Sequence, residues 1–291
     1  MILVTGASGV LGQEIVAFLL AKGVLPDQLA VLVRHQEKGN AFAAQGLSVR
    51  IGDYDHPDSL VQAFRGVEKL VFISGTDLVH RTTQHKNVVE SALIAGVKQV
   101  IYTSFQRKNE TSDSPLWVVA ESHLLTEKWL KESGMGYTIL KNNLYMDLIP
   151  AFVGEGALAT QTLFLPAGDG RVGAVLRSEL AEATAQVVVE PGHENQVYEF
   201  THSSSFSYAD IAQHLAKITD KAMTYVSPSF EEYAKALTAL GVPDDAIGLF
   251  GGFAVAQAQG ELAQTGEDIT RFLGRKPTSI AEFLQRVYGE K

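Results

Sequence analysis

The sequence predicts an α/β protein, a doubly wound parallel sheet with a smaller C-terminal α+β lobe, and three observations predict it. Short continuous apolar runs recur through the first 140 residues, the pattern of strands buried on both faces. Each run is followed by a stretch of helical period, so strands and helices alternate as βαβ units. The first run passes into the first helix through three glycines, Gly6, Gly9 and Gly12, which suits a tight strand-to-helix turn.

In order, Ile2 to Thr5 reads as the first strand and Val10 to Lys22 as a helix with Leu11, Ile15, Phe18 and Leu19 on one face. Gly23 stands where a C-terminal cap belongs. Leu29 to Val33 is the second strand, His35 to Ala44 a short helix and Leu47 to Ile51 the third strand. Asp55-His-Pro opens a helix that runs to Phe64, with Pro57 in its first turn. Lys69 to Ser74 is strand four and Val79 to Ala95 a helix closed by Gly96. Lys98 to Ser104 is strand five, Pro115 to Glu132 a helix and Tyr137 to Leu140 strand six.

After Asn142 the regularity breaks. Gly154, Gly156, Pro166, Gly168 and Gly170 punctuate a loop-rich stretch around one strand, Gln161 to Leu165. Ser178 to Val189 reads as a helix, Val197 to Thr201 as a strand and Ser207 to Thr219 as a helix. Ala222 to Val226 is a strand, and Phe230 to Leu240 and Ser279 to Tyr288 are helices. The division this suggests is a dinucleotide-binding body over 1–150 and a substrate-side lobe over 151–291 whose chain returns to the body.

Composition excludes several classes. Hydrophobic content of 46% and 20% charged residues suit a soluble globular chain. No apolar run approaches the roughly 20 residues of a membrane span, and no basic segment precedes the first strand, so the cytoplasm is expected. With no cysteine, disulfides, thiolate catalysis and cysteine-held metal are all absent. The net charge is −9, and residues 151–291 hold −8 of it, with 10 Lys+Arg against 18 Asp+Glu. No basic stripe points to nucleic acid.

Ligands of such sheets lie at the carboxyl ends of the strands, and the candidate residues are sought there. The turn Gly6-Ala7-Ser8-Gly9-Val10-Leu11 turns backbone N–H groups and the positive end of a helix toward a phosphate or pyrophosphate. Arg34 follows strand two, where an arginine holds the 2′-phosphate of NADP; the alternative is a solvated arginine. Asp53, after strand three, either accepts from an adenine amino group or caps the next helix. Ser74, Gly75 and Thr76 close strand four where a ribose passes. Ser104 closes strand five, and the adjoining Phe105 loop reaches the acceptor's place. On the following helix Glu121, Leu124, Leu125 and Lys128 share a face, and Lys128 either reaches a ribose hydroxyl or pairs with Glu132. His123 and Glu127 have metal-pair spacing without a third ligand, so no metal is expected. Leu140 and Asn142 end strand six, and Tyr145 offers a ring face and a hydroxyl to a flat substrate.

Together these stretches resemble the NmrA-like group of atypical short-chain dehydrogenases/reductases, in particular its bacterial NAD(P)H:quinone oxidoreductases and triphenylmethane reductases. The resemblance spans Thr5-Gly-Ala-Ser-Gly-Val-Leu-Gly12, Val33-Arg34, Gln84-His-Lys-Asn-Val88, Ala95-Gly-Val-Lys98 and Tyr102-Thr-Ser104. It continues through Ala120-Glu-Ser-His123, Thr126-Glu-Lys128, Asn142 to Tyr145, Arg177-Ser-Glu-Leu-Ala181 and Gly274-Arg-Lys-Pro-Thr278. It implies NADP(H) held by Gly6 to Leu11, Arg34, Ser74 to Thr76 and Tyr137 to Asn142. It also implies hydride transfer to a quinone or similar aromatic acceptor near Phe105, Glu121 and Tyr145. A homodimer is compatible with it. The chain departs from the wider superfamily at Leu124, four residues before Lys128, where a catalytic tyrosine would stand. That loss also suits the group's other class, a regulator that senses the NADP(H) pool without turnover.

Overall fold

A computed structural model describes residues 1–154 and 156–289, and in it the apolar runs pair as parallel strands. They are β1 (Ile2–Val4), β2 (Leu29–Val33), β3 (Ser48–Ile51), β4 (Lys69–Ile73), β5 (Gln99–Phe105) and β6 (Gly136–Asn142). Three more follow later in the chain: β7 (Thr162–Phe164), β8 (Gln196–Phe200) and β9 (Thr224–Val226). The main sheet has the order β3-β2-β1-β4-β5-β6-β8, and β7 pairs with β9 alone. All pairs are parallel, and their helical crossovers cover both faces. The expected α/β fold is the one observed.

The helices of the first half are α1 (Val10–Ala21), α2 (Asn40–Ala43), α3 (Pro57–Ala63), α4 (Arg81–Ala95) and α5 (Trp117–Glu132). Those of the second are α6 (Ile149–Val153), α7 (Ala157–Thr160), α8 (Arg177–Val189), α9 (Tyr208–Thr219), α10 (Phe230–Ala239), α11 (Asp244–Ala258), α12 (Asp268–Leu273) and α13 (Ile280–Tyr288). The period-two alternation of each strand divides the sheet's side chains. Val4, Val31, Val71, Ile101, Leu140 and Phe200 pack under α1, α8 and α12. Leu3, Ala30, Leu70, Phe72, Val100 and Tyr102 pack under α3, α4 and α5.

A third core belongs to the C-terminal lobe, where α6, α9, α11 and α13 close around Phe152, Leu163, Tyr208, Leu215, Ala254 and Leu284. Three of its helices start with a capping box, Ser207 with Asp210, Ser229 with Glu232 and Ser279 with Glu282. Each box satisfies N-terminal N–H groups that the helix itself leaves open. The lobe is inserted between β6 and α8, because α8 then packs along α1 and β8 pairs with β6.

Sequence reasoning missed α6, α7, α11 and α12. Gly248, Gly251 and Gly252 lie inside α11, and glycine costs a helix interior about 1 kcal/mol. Packing explains Gly251, since a Cβ there would meet Phe230 Cδ2 at 3.0 Å and Tyr233 Cε1 at 3.2 Å. The helix expected over 35–44 is instead a 3-10 turn, Gln36–Gly39, running into α2. Among the described residues, no helix is long and apolar enough to cross a membrane.

Candidate cofactor and acceptor site

At the end of β1 the chain turns through Gly6, whose φ of +58° is left-handed and suits glycine. The Gly9 N–H donates to the Gly6 carbonyl at 3.0 Å and closes the turn. Gly12 lies hard against it: a Cβ there would stand 2.7 Å from Ala7 Cα, with the Gly6 carbonyl closer still. α1 begins with Gly9 at its N-cap, with no capping side chain and no acidic residue in its first turn. Its positive end is therefore uncompensated. Gly6, Ser8, Gly9 and Val10 are exposed there, while Ala7 and Leu11 anchor the turn in the core. Arg34 is exposed at the end of the neighbouring β2, and a groove of about 340 Å³ beside Ser8 is lined by Gln13, Lys38 and Phe42. Backbone donors, a helix end and mobile cations converge there, a donor set that fits a phosphate-bearing dinucleotide.

The next strand ends are tied together by polar side chains. Ile73 N–H donates to Thr5 Oγ1 at 3.0 Å, and the Tyr54 hydroxyl donates to the Ile73 carbonyl at 2.9 Å. Burial pushes the Tyr54 hydroxyl above its ordinary range. Asp53 performs neither expected role among the protein's own groups: its carboxylate accepts from Asp55 N–H at 3.1 Å, inside the loop before α3. The helix starts at His56 without a side-chain cap. Ser74 N–H donates to Thr103 Oγ1 and Gly75 N–H to His85 Nε2, both at 3.0 Å, so this loop is fixed from beneath while Thr76 is exposed.

The helix α5 corrects the sequence reading. Glu121, Leu124, Leu125 and Lys128 do share a face, but it is the outer one. Glu121 is exposed, and Lys128 is paired with Glu132 at 3.9 Å with 65% of its side chain in solvent. Neither reaches the strand ends, so Lys128 does not orient a ribose and Glu121 does not face the acceptor. The inner face carries Val119, Ala120, Ser122, His123, Thr126, Glu127 and Leu130, with no tyrosine. The error came from choosing the apolar residues as the buried side. Here the buried side is polar because it is paired: His123 Nδ1 lies 2.6 Å from the Tyr102 hydroxyl. Glu127 accepts from Ser104 Oγ at 2.5 Å and from Arg107 Nη1 at 2.9 Å. His123 and Glu127 thus point to different partners. Among the described residues no cluster of three His, Asp or Glu has metal-binding arrangement.

Ser104 is accordingly buried and committed to Glu127, and Leu140 is core under α1 and α8. Phe105 ends β5 beneath the lobe, with Phe253 edge-on at 5.9 Å and His123 at 6.1 Å. Asn142 is 2% exposed, and neither its Nδ2 nor its Oδ1 has a partner among the described residues. An unpaired buried carboxamide costs about 1–3 kcal/mol, so its place at the end of β6 points to a ligand that satisfies it. Asn143 is fully used: its Nδ2 donates to Gln106, Thr201 and the Leu262 carbonyl, latching β6 to the lobe. Tyr145 is half-buried with the Arg177 guanidinium 5.9 Å above its ring. One of its faces is therefore already covered, and burial pushes its hydroxyl up.

Quinone oxidoreductase 2 of Escherichia coli K12 is 35% identical over 288 residues, which cover 99% of both chains. The crystal structure of the E. coli NADPH-dependent quinone oxidoreductase complexed with NADPH matches with a TM-score of 0.92, covering 99% of this chain and 100% of that one at 35% identity. The triphenylmethane reductase of Citrobacter sp. complexed with NADP(H) matches with a TM-score of 0.89 and 37% identity, over 98% and 99%. The NAD(P)H azoreductase of Xenophilus azovorans is 27% identical over 289 residues, 98% of this chain and 97% of its own. The NmrA-like family pattern matches residues 1–284, and the chain belongs to the NmrA-like family.

Proposed function

We propose that the protein is an NADPH-dependent reductase that transfers hydride to a quinone or similar conjugated acceptor. The observation that carries this is the end-to-end likeness to a quinone oxidoreductase solved with NADPH, and the donor set at the strand ends supports it. In this reading Gly6 to Leu11 hold the pyrophosphate, Arg34 the 2′-phosphate, and Ser74 to Thr76 flank the ribose. Asn142 then gives its carboxamide to the cofactor's polar edge. Bound NADPH supplies the hydride. The protein supplies position and a dry wall, since Phe105 and Phe253 join the lobe's apolar core over the end of β5. The inner face of α5 offers no tyrosine as acid, so the acceptor must be one whose reduced anion is stable, as a hydroquinone anion is. A cytoplasmic location belongs to the same proposal.

Purified protein mixed with NADPH and 1,4-benzoquinone is expected to remove the reduced-nicotinamide absorbance well above the uncatalysed rate. No acceleration with any quinone, azo dye or triphenylmethane dye would sink the enzyme reading and favour a cofactor sensor. Arg34→Ala is expected to weaken NADPH by about 10–100-fold, the loss of one to two charge-assisted bonds, and leave NADH unchanged. Equal losses for the two cofactors would remove Arg34 from the 2′-phosphate.

A further inference from the structure

Beneath the acceptor's place lies a buried chain of hydrogen bonds whose proton positions can be assigned from one end to the other. It starts at a backbone donor. Gly75 N–H can only donate, so His85 Nε2 accepts and His85 Nδ1 carries the hydrogen. That hydrogen faces Thr126 Oγ1 at 2.9 Å and the Tyr102 hydroxyl oxygen at 3.3 Å. Thr126 sends its own hydrogen to the Ser122 carbonyl at 2.6 Å. The Tyr102 hydrogen is left to go to His123 Nδ1, 2.6 Å away. His123 is thereby fixed in the tautomer that carries its hydrogen on Nε2.

That Nε2–H has no partner among the hydrogen bonds of the described chain, although His123 is 4% exposed. Its ring lies against Phe105 at the end of β5, with the planes at 36°. A buried donor left free costs about as much as a lost hydrogen bond. We propose that His123 is a catalytic residue of the reduction, a neutral imidazole whose Nε2–H donates to the acceptor oxygen on which charge develops. Tyr102 is its positioning residue. The proposal rests on the reductase reading above. The hydride brings two electrons to the acceptor as the cofactor's C–H bond breaks and a new bond to the acceptor forms. The nicotinamide is oxidised and the acceptor reduced, with negative charge on the acceptor oxygen. His123 keeps its proton and stabilises that charge, and water gives the proton that completes the hydroquinone.

The surroundings hold the imidazole neutral. His123 is pushed well below its ordinary range, first by burial and then by Arg81, His85 and Arg107. The charged and titratable groups facing it are Arg81 and His85 from α4, Tyr102 from β5, Arg107 after it and Glu127 one turn along α5. Arg81 is itself held by Ser122 Oγ at 2.7 Å and the Val119 carbonyl at 2.6 Å. His85 is pushed down to about 3 by burial and by Arg81.

The test compares His123→Phe, which keeps a ring without donors, with His123→Gln, which keeps an N–H. Removing an oxyanion donor lowers kcat by ~10²–10³, so His123→Phe is expected to lose about 100-fold in kcat with NADPH affinity unchanged. His123→Gln should recover part of the loss, and wild-type kcat should be level between about pH 5 and 8. Tyr102→Phe should lower kcat while leaving the acceptor KM in place. A His123→Phe variant with wild-type kcat would overturn the proposal, as would a wild-type kcat that falls tenfold per pH unit above about pH 6. A second readout needs no turnover: 4-nitrophenolate titrated into the NADP⁺ complex should bind the wild type at least tenfold tighter than His123→Phe. Equal binding overturns the role of His123, whereas failure of all quinone turnover overturns the reductase reading alone.

Discussion

Gly12→Ala is expected to lose NADPH binding and about 3 kcal/mol of stability, at the upper end of what an added methyl costs in a packed site. The methyl has no flexible side chain to displace. It meets the Ala7 Cα at 2.7 Å and the Gly6 carbonyl carbon at 2.9 Å, so either α1 lifts off the turn or the turn opens. Both movements scatter the N–H groups that converge on the phosphate. Gly9→Ala is the control. Gly9 has a φ of −80°, open to any residue, and its Cβ would meet only the Gly6 carbonyl oxygen at 3.3 Å. Denaturant unfolding and NADPH fluorescence titration separate the two. If Gly12→Ala binds NADPH as the parent does, the close packing of helix on turn is not what forms the site.

The second large effect is expected at Glu127. Arg107 has a fully buried side chain, and Glu127 is its buried counter-charge at 2.9 Å. The exposed Glu110 also reaches Arg107 at 3.0 Å. Glu127→Ala removes the buried partner and strands both the guanidinium and the Ser104 hydroxyl, a loss of about 3–5 kcal/mol. In a chain of this size that lowers Tm by about 10 °C. The double variant Glu127→Leu with Arg107→Met should recover much of it, because replacing both charges removes the uncompensated one. A double variant no more stable than Glu127→Ala would show that the ion pair is not the reason for the loss.

What the sequence made legible follows from the range of each interaction. Strands such as Leu29–Val33 declare themselves because five apolar residues in a row have no other use, and Gly6 to Gly12 because their spacing is local. Strand β8 was visible as a strand, but its pairing with β6 was not, since the intervening residues form a separate core. The inner face of α5 was illegible for a sharper reason. His123 and Glu127 can be buried only because Tyr102 and Arg107 wait for them, and those partners lie on another element. Periodicity reports apolar burial; it is silent about polar burial by pairing. Asn142 was placed at the right strand end, yet its unpaired carboxamide became visible only when every neighbour had a position.

The nesting of the lobe between β6 and α8 also has a temporal side. The nucleotide turn is among the first parts of the chain to leave the ribosome, whereas the helix that packs along α1 begins only at Arg177 and the strand that covers β6 only at Gln196. At synthesis rates of roughly 5–20 residues per second, the interval between α1 and α8 lasts on the order of 10–30 s. During it Ile15 and Leu19 lack their cover, and β6 presents an open edge to any other nascent strand. The part of the sequence that announces itself first is thus among the last to become a finished surface, and the young chain depends on chaperones for the interval between.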